Sequence, residues 1–171
     1  MNRRDILSLA AVAVLGLALL PSAATSQQRS LKEQLVGIWT LVSNDNIAPD
    51  GAKRQIFGAN PTGILIYEAN GRYAQIFLRP GRPKFKANNR LRGTPEEIKA
   101  AYEGALVHFG TWSVSEADKT IVLHTEGALY PNQEGTQGGR FIVSLTADEL
   151  TLVNAASGAG GRTEAVFRRA K

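Results

Sequence analysis

The 171-residue chain contains no cysteine and only two histidines. Without cysteine, neither a disulfide bond nor a lipid attached through a cysteine is possible. Two histidines and no cysteine are also too few for a typical zinc site, so we expect no bound metal ion. The sequence has no nucleophile elbow, and its glycine cluster at 158–161 lacks the strand–helix context of a phosphate-binding loop. We therefore expect no cofactor.

Residues 1–24 have the pattern of a signal peptide. Arg3 and Arg4 precede an apolar run from Ile6 to Leu20, which is too short for a comfortable membrane span. Small residues before and at Ala24 then offer a cleavage site. The leader fits either an ordinary secretory signal or a twin-arginine signal, and an uncleaved anchor is a third possibility. The sequence therefore predicts a periplasmic or secreted protein with no membrane span after cleavage.

Residues 25–171 are predicted to form one domain with a substantial hydrophobic core. Loss of Arg3, Arg4 and Asp5 with the leader reduces the 20 basic and 15 acidic residues to 18 and 14, a net charge of +4. This modest charge favours anionic ligands or an anionic envelope surface slightly. For an exported chain we expect no nucleic-acid partner.

The rest of the chain consists mainly of short strand-like segments separated by turn residues, after a polar lead-in at 27–34. Many short strands with a turn signal every ten or so residues indicate a sandwich or a barrel, and the short loops favour an up-and-down antiparallel order. About nine strands are predicted, at 37–44, 53–57, 63–68, 73–78, 111–115, 120–129, 140–145, 150–154 and 163–168.

The clearest hairpin joins the segments 63–68 and 73–78. Asn70-Gly71 suits a two-residue type I′ turn, because both residues tolerate a positive φ. That turn would pair Glu68 with Tyr73 and Ile66 with Gln75 across the two strands.

One helix is predicted at about 95–107. Thr94 is a suitable N-cap, Pro95 fits the first turn, and Glu97 completes a capping box. The apolar residues then follow at helical spacing, which predicts one buried stripe. Its members are Ile98, Ala101, Tyr102, Ala105 and Leu106.

His124 and Glu126 are the candidates for chemistry. They lie two positions apart on one predicted strand and therefore share a face. In a dry interior the carboxylate would orient the imidazole and raise its pKa, and the pair could act as a general acid and base. The alternatives are a solvated strand face or a buried pair without chemistry. The interpretation fails if Ile121 and Leu123, on the opposite face, line the interior.

Other polar residues could bind a ligand. Tyr73 and Gln75 interrupt an apolar strand, as polar residues that orient a ligand do, although a cross-strand hydrogen bond would explain them equally well. Arg79 begins a basic segment that extends to Arg92 and would either rim the mouth of a barrel or form a solvated loop. Tyr102 fits core packing or the ligand site.

Several segments resemble the bacterial and fungal lipocalin-like domain family, and the resemblance covers almost all of residues 25–171. Gly37-Ile38-Trp39 resembles the Gly-x-Trp of lipocalins. Five further segments, in the family's order, are similar to the family pattern: Asn60-Pro61-Thr62-Gly63, Arg79-Pro80-Gly81-Arg82-Pro83, Gly93-Thr94-Pro95-Glu96-Glu97, Phe109-Gly110-Thr111 and Glu126-Gly127-Ala128-Leu129-Tyr130-Pro131-Asn132. The resemblance implies an antiparallel barrel of about 8–10 strands with a central cavity, and no single activity.

The resemblance also implies roles for single residues. Trp39 would plug the floor of the barrel beneath a basic side chain of the last strand, Arg168 or Arg169, in a cation–π contact. The chain departs from the family at Gln133, where a Trp is common, and at His108, where an aromatic residue is usual. If these positions line the cavity, the cavity is more polar than in relatives, and His108 becomes a candidate ligand contact.

Three functions follow as hypotheses. The first is binding of one small hydrophobic or amphipathic molecule, with polar anchors among Gln75, His124 and Glu126. The second is a cyclase, isomerase or hydratase that acts on a polyketide- or terpenoid-like substrate through His124 and Glu126. The third is a filled barrel that stabilises an envelope partner through its surface.

Overall fold

The computed structural model describes residues 29–171, so the predicted signal peptide lies outside the described residues. Within them the chain forms nine antiparallel strands and two helices. The strands pair in the order β2-β1-β3-β4-β5-β6-β7-β8-β9, and β1 also pairs with β9. The sheet therefore closes into an eight-stranded up-and-down barrel with β2 as a short extra strand, as predicted. No helix of the described residues is long and apolar enough to cross a membrane.

The elements have the following bounds: α1 Leu31–Leu35, β1 Gly37–Ile47, β2 Lys53–Arg54, β3 Thr62–Tyr67, β4 Arg72–Leu78, α2 Pro95–Glu103, β5 Ala105–Ser115, β6 Thr120–Ala128, a 3-10 turn Pro131–Gln133, β7 Gln137–Leu145, β8 Glu149–Asn154 and β9 Arg162–Arg169.

Antiparallel order places the connections alternately at the two ends of the barrel. We call one end the closed end: it holds the short turns 68–71, 116–119 and 146–148, together with α1. The other is the open end, and it holds the longer segments 48–61, 79–104, 129–136 and 155–161. Alternate strand residues point inward, and a bulge between Leu41 and Ser43 brings Asn44 and Asn46 to the inner face.

The closed end is filled and sealed. Trp39 is fully buried, and its indole Nε1 donates a hydrogen bond to the Leu35 carbonyl at 2.8 Å. The Arg169 guanidinium lies 4.0 Å from the Trp39 ring centroid and donates to the carbonyl oxygens of Gln34 and Val36. The predicted plug is therefore present, and Arg169 supplies its cation. The alternative, Arg168, is wrong because its side chain points outward and is exposed.

The prediction of an irregular lead-in at 27–34 missed α1, since residues 31–34 belong to this helix. Ser30 and Glu33 form a full capping box at its start: the Ser30 hydroxyl accepts from the Glu33 N–H, and the Glu33 carboxylate accepts from the Ser30 N–H. The Leu31 N–H donates to the Glu116 carboxylate in the β5–β6 turn. The helix is thereby tied across the closed end.

The predicted register of the β3–β4 hairpin is wrong by one residue. Tyr67, not Glu68, pairs with Tyr73, and Leu65 pairs with Gln75. Only Gly71 takes a positive φ, of 86°, while Asn70 does not. The connection is therefore a longer turn that ends in a left-handed glycine, rather than a two-residue type I′ turn. Tyr73 and Gln75 still share the inner face.

Helix α2 starts as predicted, with Thr94 and Glu97 in a capping box, but ends at Glu103 rather than near 107. Ala105 and Leu106 belong instead to β5, where they pair with the end of β4. The predicted apolar stripe is not buried, since Ile98 is 50% exposed. The buried side chain is Glu97, whose carboxylate accepts hydrogen bonds from the Thr94 and Lys86 N–H groups.

Candidate ligand cavity

A cavity of about 630 Å³ opens at the open end of the barrel. This volume falls within the range of small-molecule sites. All four open-end segments contribute to it, together with the inner face of the barrel. The lining residues are Asn44, Ile56, Phe57, Gln75, Phe77, Arg79, Tyr102, Glu103, Ala105, Leu106, Leu129, Tyr130, Gln133, Arg140, Leu152, Asn154, Ser157, Gly158, Ala159, Thr163, Ala165 and Phe167.

The wall of the cavity is largely apolar. Phe77 packs tilted against Phe167 at 5.8 Å between ring centroids, and edge-on against Phe57 at 5.9 Å. Ala165 pairs with Leu152 on one side and Asn44 on the other. Because Ala165 carries only a methyl group at this position, the wall leaves space where a larger residue would fill it.

Arg79 lines the mouth and also supports it. Its Nε donates to the Ile56 carbonyl at 2.9 Å, which links the end of β4 to the segment 48–61. Tyr102 lines the mouth from α2 and is 44% exposed. The rest of the basic segment up to Arg92 does not line the cavity, and Lys84, Lys86, Arg90 and Arg92 are exposed. Of this segment, only Arg79 therefore fits the predicted rim.

A buried polar cluster lies between the closed-end core and the cavity. The Tyr73 hydroxyl is 3.0 Å from His108 Nδ1 and 3.1 Å from Thr125 Oγ1. His108 is 2% exposed, and its strand partner Gln75 lines the cavity. Burial, aided by the charge of Arg140, lowers the pKa of His108 from 6.5 to about 4. The imidazole is therefore neutral at pH 7, and within residues 29–171 its Nε2 has no hydrogen-bond partner.

Arg140 is the inward-facing cation that the sequence analysis did not single out. It pairs with Ile121, which is fully buried, so both side chains point to the interior. Its Nη1 donates to the Gly139 carbonyl at 3.0 Å. Among residues 29–171, no carboxylate lies within 4.0 Å of its guanidinium. Alternation in the predicted strand 140–145 gave no signal for this placement: the apolar Phe141 and Val143 share the opposite face and are exposed.

The prediction that His124 and Glu126 face the interior is wrong. Both side chains are exposed on the outer face of β6, while Ile121, Leu123 and Thr125 face inward. Glu126 accepts a hydrogen bond from Arg72 Nη1 at 2.6 Å, and this bond lowers the pKa of the Glu126 carboxyl group.

The other candidate residues divide into two groups. Gln75, Arg79 and Tyr102 line the cavity, whereas Tyr73 and His108 belong to the buried cluster behind it. Gln133, one of the two departures from the family pattern, also lines the cavity.

An antiparallel up-and-down barrel with one sealed end and one hollow end defines a class of small barrels whose interior either is packed or holds one small ligand. A family model described as the lipocalin-like domain matches residues 36–170. The chain belongs to the lipocalin-like domain family.

Solved structures provide further comparisons. A lipocalin-like protein from Bacteroides uniformis is 15% identical, with a TM-score of 0.45 over 80% of this chain and 99% of that one. A redesigned β-barrel is 11% identical, with a TM-score of 0.44 over 84% and 100% of the two chains. A triple mutant of bovine odorant binding protein is 21% identical, with a TM-score of 0.39 over 80% and 74%. No curated protein matches the sequence.

Proposed function

We propose that the protein binds one small hydrophobic or amphipathic molecule in the cavity at the open end. The observation that carries this proposal is the cavity itself: about 630 Å³, with an apolar wall that includes Phe77 and Phe167 and with polar side chains among its lining residues. Sites of this composition hold a ligand by burial of apolar surface, while the polar groups orient it.

The two other hypotheses have less support. The acid–base hypothesis depended on His124 and Glu126 inside the barrel, and both are outside it. The filled-barrel hypothesis fits the closed end, but the open end has room for a ligand.

We further propose that the protein acts after export, as the leader pattern at 1–24 suggests. Edman sequencing of the protein recovered from the periplasm or medium tests this. An N-terminus near Thr25 is the expected result, and retention of Met1 in a cytoplasmic fraction would contradict it.

Ligand binding can be tested with N-phenyl-1-naphthylamine, an uncharged probe that fluoresces in apolar sites. We expect saturable binding that weakens at least tenfold in the Ala165→Trp variant, because the indole would occupy the cavity. Val143→Trp is the matched control, since Val143 is 63% exposed on the outside of β7. Absence of saturable binding to the unmodified protein, or equal binding by both variants, would refute a ligand site in the cavity.

A further inference from the structure

The cavity combines an apolar wall with polar side chains that the protein itself leaves unbonded. Gln75 and Asn44 line it and are only 7% and 6% exposed. No hydrogen bond within residues 29–171 engages either side-chain amide. Both amides face the open cavity, and their donors and acceptors are free to bind a polar group on the occupant.

Arg140 determines the sign of charge that suits the cavity. A guanidinium has five N–H donors and no acceptor, and the described residues supply an acceptor for only one of them, the Gly139 carbonyl. Burial lowers the pKa of Arg140, which reflects the cost of holding a cation there. The acidic residue that lines the cavity, Glu103, lies at the mouth with its carboxylate 3.9 Å from Lys99 Nζ. Nothing in residues 29–171 neutralises Arg140 by direct contact.

The groups behind the cavity are donors as well. If the Tyr73 O–H donates to His108 Nδ1, the remaining imidazole proton lies on Nε2, which has no partner among the described residues. The Tyr67 hydroxyl is likewise buried without a partner there. Burial raises the pKa of Tyr67, so the phenol keeps its proton and remains a donor. The interior therefore offers one positive charge and several N–H and O–H donors. Within residues 29–171 it also holds one buried acceptor without a partner, Gln133 Oε1 on the cavity wall, but no carboxylate in contact with Arg140.

We propose that the ligand is an amphipathic carboxylate whose headgroup binds Arg140 and the Gln75 amide, with its hydrocarbon part against Phe77, Leu152 and Phe167. The inference rests on the proposed function and specifies its ligand class. A carboxylate has two oxygens that accept hydrogen bonds and pairs with a planar guanidinium in a bidentate manner. It satisfies the donors that an alcohol of the same chain length would satisfy only in part.

Displacement of N-phenyl-1-naphthylamine at pH 8 tests the proposal with three ligands of equal chain length: dodecanoate, dodecan-1-ol and dodecylammonium. For the unmodified protein we expect dodecanoate to bind at least tenfold more tightly than dodecanol, and dodecylammonium to bind most weakly. The tenfold figure corresponds to one charge-assisted hydrogen bond. Probe binding with equal or tighter binding of dodecanol would overturn the carboxylate assignment and leave the proposed function intact. Failure of the probe and of all three ligands would refute both.

Variants identify the residue responsible. Arg140→Met keeps an unbranched apolar stem and removes the guanidinium with its charge, so we expect about a tenfold to hundredfold loss for dodecanoate and less than a twofold change for dodecanol. Arg168→Met is the matched control, because Arg168 is an exposed arginine on the outside of β9. Gln75→Met, which removes only the amide, should weaken dodecanoate binding about threefold to tenfold and provides a second test if Arg140→Met does not fold. An unchanged preference for dodecanoate in both cavity variants would overturn the assignment.

Discussion

The closed end and the open end of this barrel are built from the same eight strands, but they are packed in opposite ways. At the closed end, Trp39, Tyr67 and Trp112 fill the interior, and the Tyr67 and Trp112 rings lie 4.6 Å apart. At the open end the inward positions include Ala165, Asn44 and Gln75, which leave a cavity. Strand pairing forms the barrel wall at both ends, and the size and polarity of the inward side chains decide which end is filled.

The comparison suggests that stability and binding are separated along the barrel axis. One hydrophobic cluster extends from Trp39 at the closed end to Phe77 and Phe167 in the cavity wall. The closed end adds the α1 cap and the Arg169 hydrogen bonds, whereas the open end has longer connecting segments and a partly polar wall. Substitutions at the closed end should therefore lower the free energy of unfolding, and substitutions of the polar and half-exposed residues of the cavity should mainly change ligand affinity.

The largest expected effect is that of Trp39→Ala. Removal of a fully buried indole should lower the free energy of unfolding by about 3–5 kcal/mol, as measured by urea denaturation. Tyr102→Ala at the mouth is the contrasting variant and should cost less than about 1 kcal/mol, because Tyr102 is half-exposed and outside the core. Equal losses of unfolding free energy in the two variants would contradict the proposed separation of stability and binding along the barrel axis.

The next effect is a pH dependence that distinguishes the two histidines. Burial lowers the pKa of His108 to about 4 in the folded protein, against 6.5 when unfolded. The unfolded state therefore binds the proton first, so the contribution of His108 is complete above pH 6.5 and is lost as the pH falls to 4. The loss amounts to about 3 kcal/mol.

His108→Gln and His124→Gln form the matched pair for this measurement, since His124 is exposed on the outside of β6. Between pH 7.5 and pH 4, the His108 variant should lose about 3 kcal/mol less unfolding free energy than the His124 variant. Carboxylates that titrate in this range are common to both variants and cancel in the comparison. Parallel pH profiles would show that His108 is not buried as a neutral imidazole.

A smaller effect is expected for the cation at the closed end. Arg169→Met removes the contact with Trp39 and the hydrogen bonds to Gln34 and Val36, and should cost about 2 kcal/mol. Arg168→Met should leave the urea midpoint unchanged, because Arg168 is exposed. Affinity for N-phenyl-1-naphthylamine should be unchanged in both variants. A large loss of affinity in Arg169→Met would show that the closed end influences ligand binding at the open end.

The smallest effect is expected on the outer face. Glu126→Gln removes the ion pair with Arg72, which is exposed on both sides. We expect no measurable change in the urea midpoint or in probe affinity, because exposed pairs are screened by water. A marked loss of affinity for N-phenyl-1-naphthylamine would show that Glu126 contributes to the ligand site after all.

Local signals predicted much of the fold. Turn residues and alternation predicted nine strands, and the Thr94–Glu97 capping box located the start of α2. The same type of signal, Ser30 with Glu33, was present for α1 and went unused. One prediction failed because a neighbouring strand decides the outcome: α2 ends where Ala105 and Leu106 pair with β4. The hairpin register failed for a local reason, because Gly71 takes a positive φ and Asn70 does not, which makes the turn longer than two residues.

The candidate site was harder to predict, since period-two alternation shows which residues share a face but not which face lies inside. The prediction that His124 and Glu126 share one face of a strand is correct, but that face is the outer face of the barrel. Arg140 was assigned to a strand and was not considered as a site residue. In a strand without a bulge, the neighbours of an inward residue point outward, so one wrong choice of face misplaces every candidate on that strand.

The sequence by itself determined the alternating pattern, the turns, the helix caps and the Trp39 plug, because these depend on neighbours along the chain or on a short, characteristic segment. Only the tertiary structure decided which faces enclose the interior, that Arg169 rather than Arg168 covers Trp39, and that Arg140 shares a cavity with Gln75. The physical reason is closure: pairing of β1 with β9 joins residues far apart in the chain, and the register of that pairing sets the inside of the barrel.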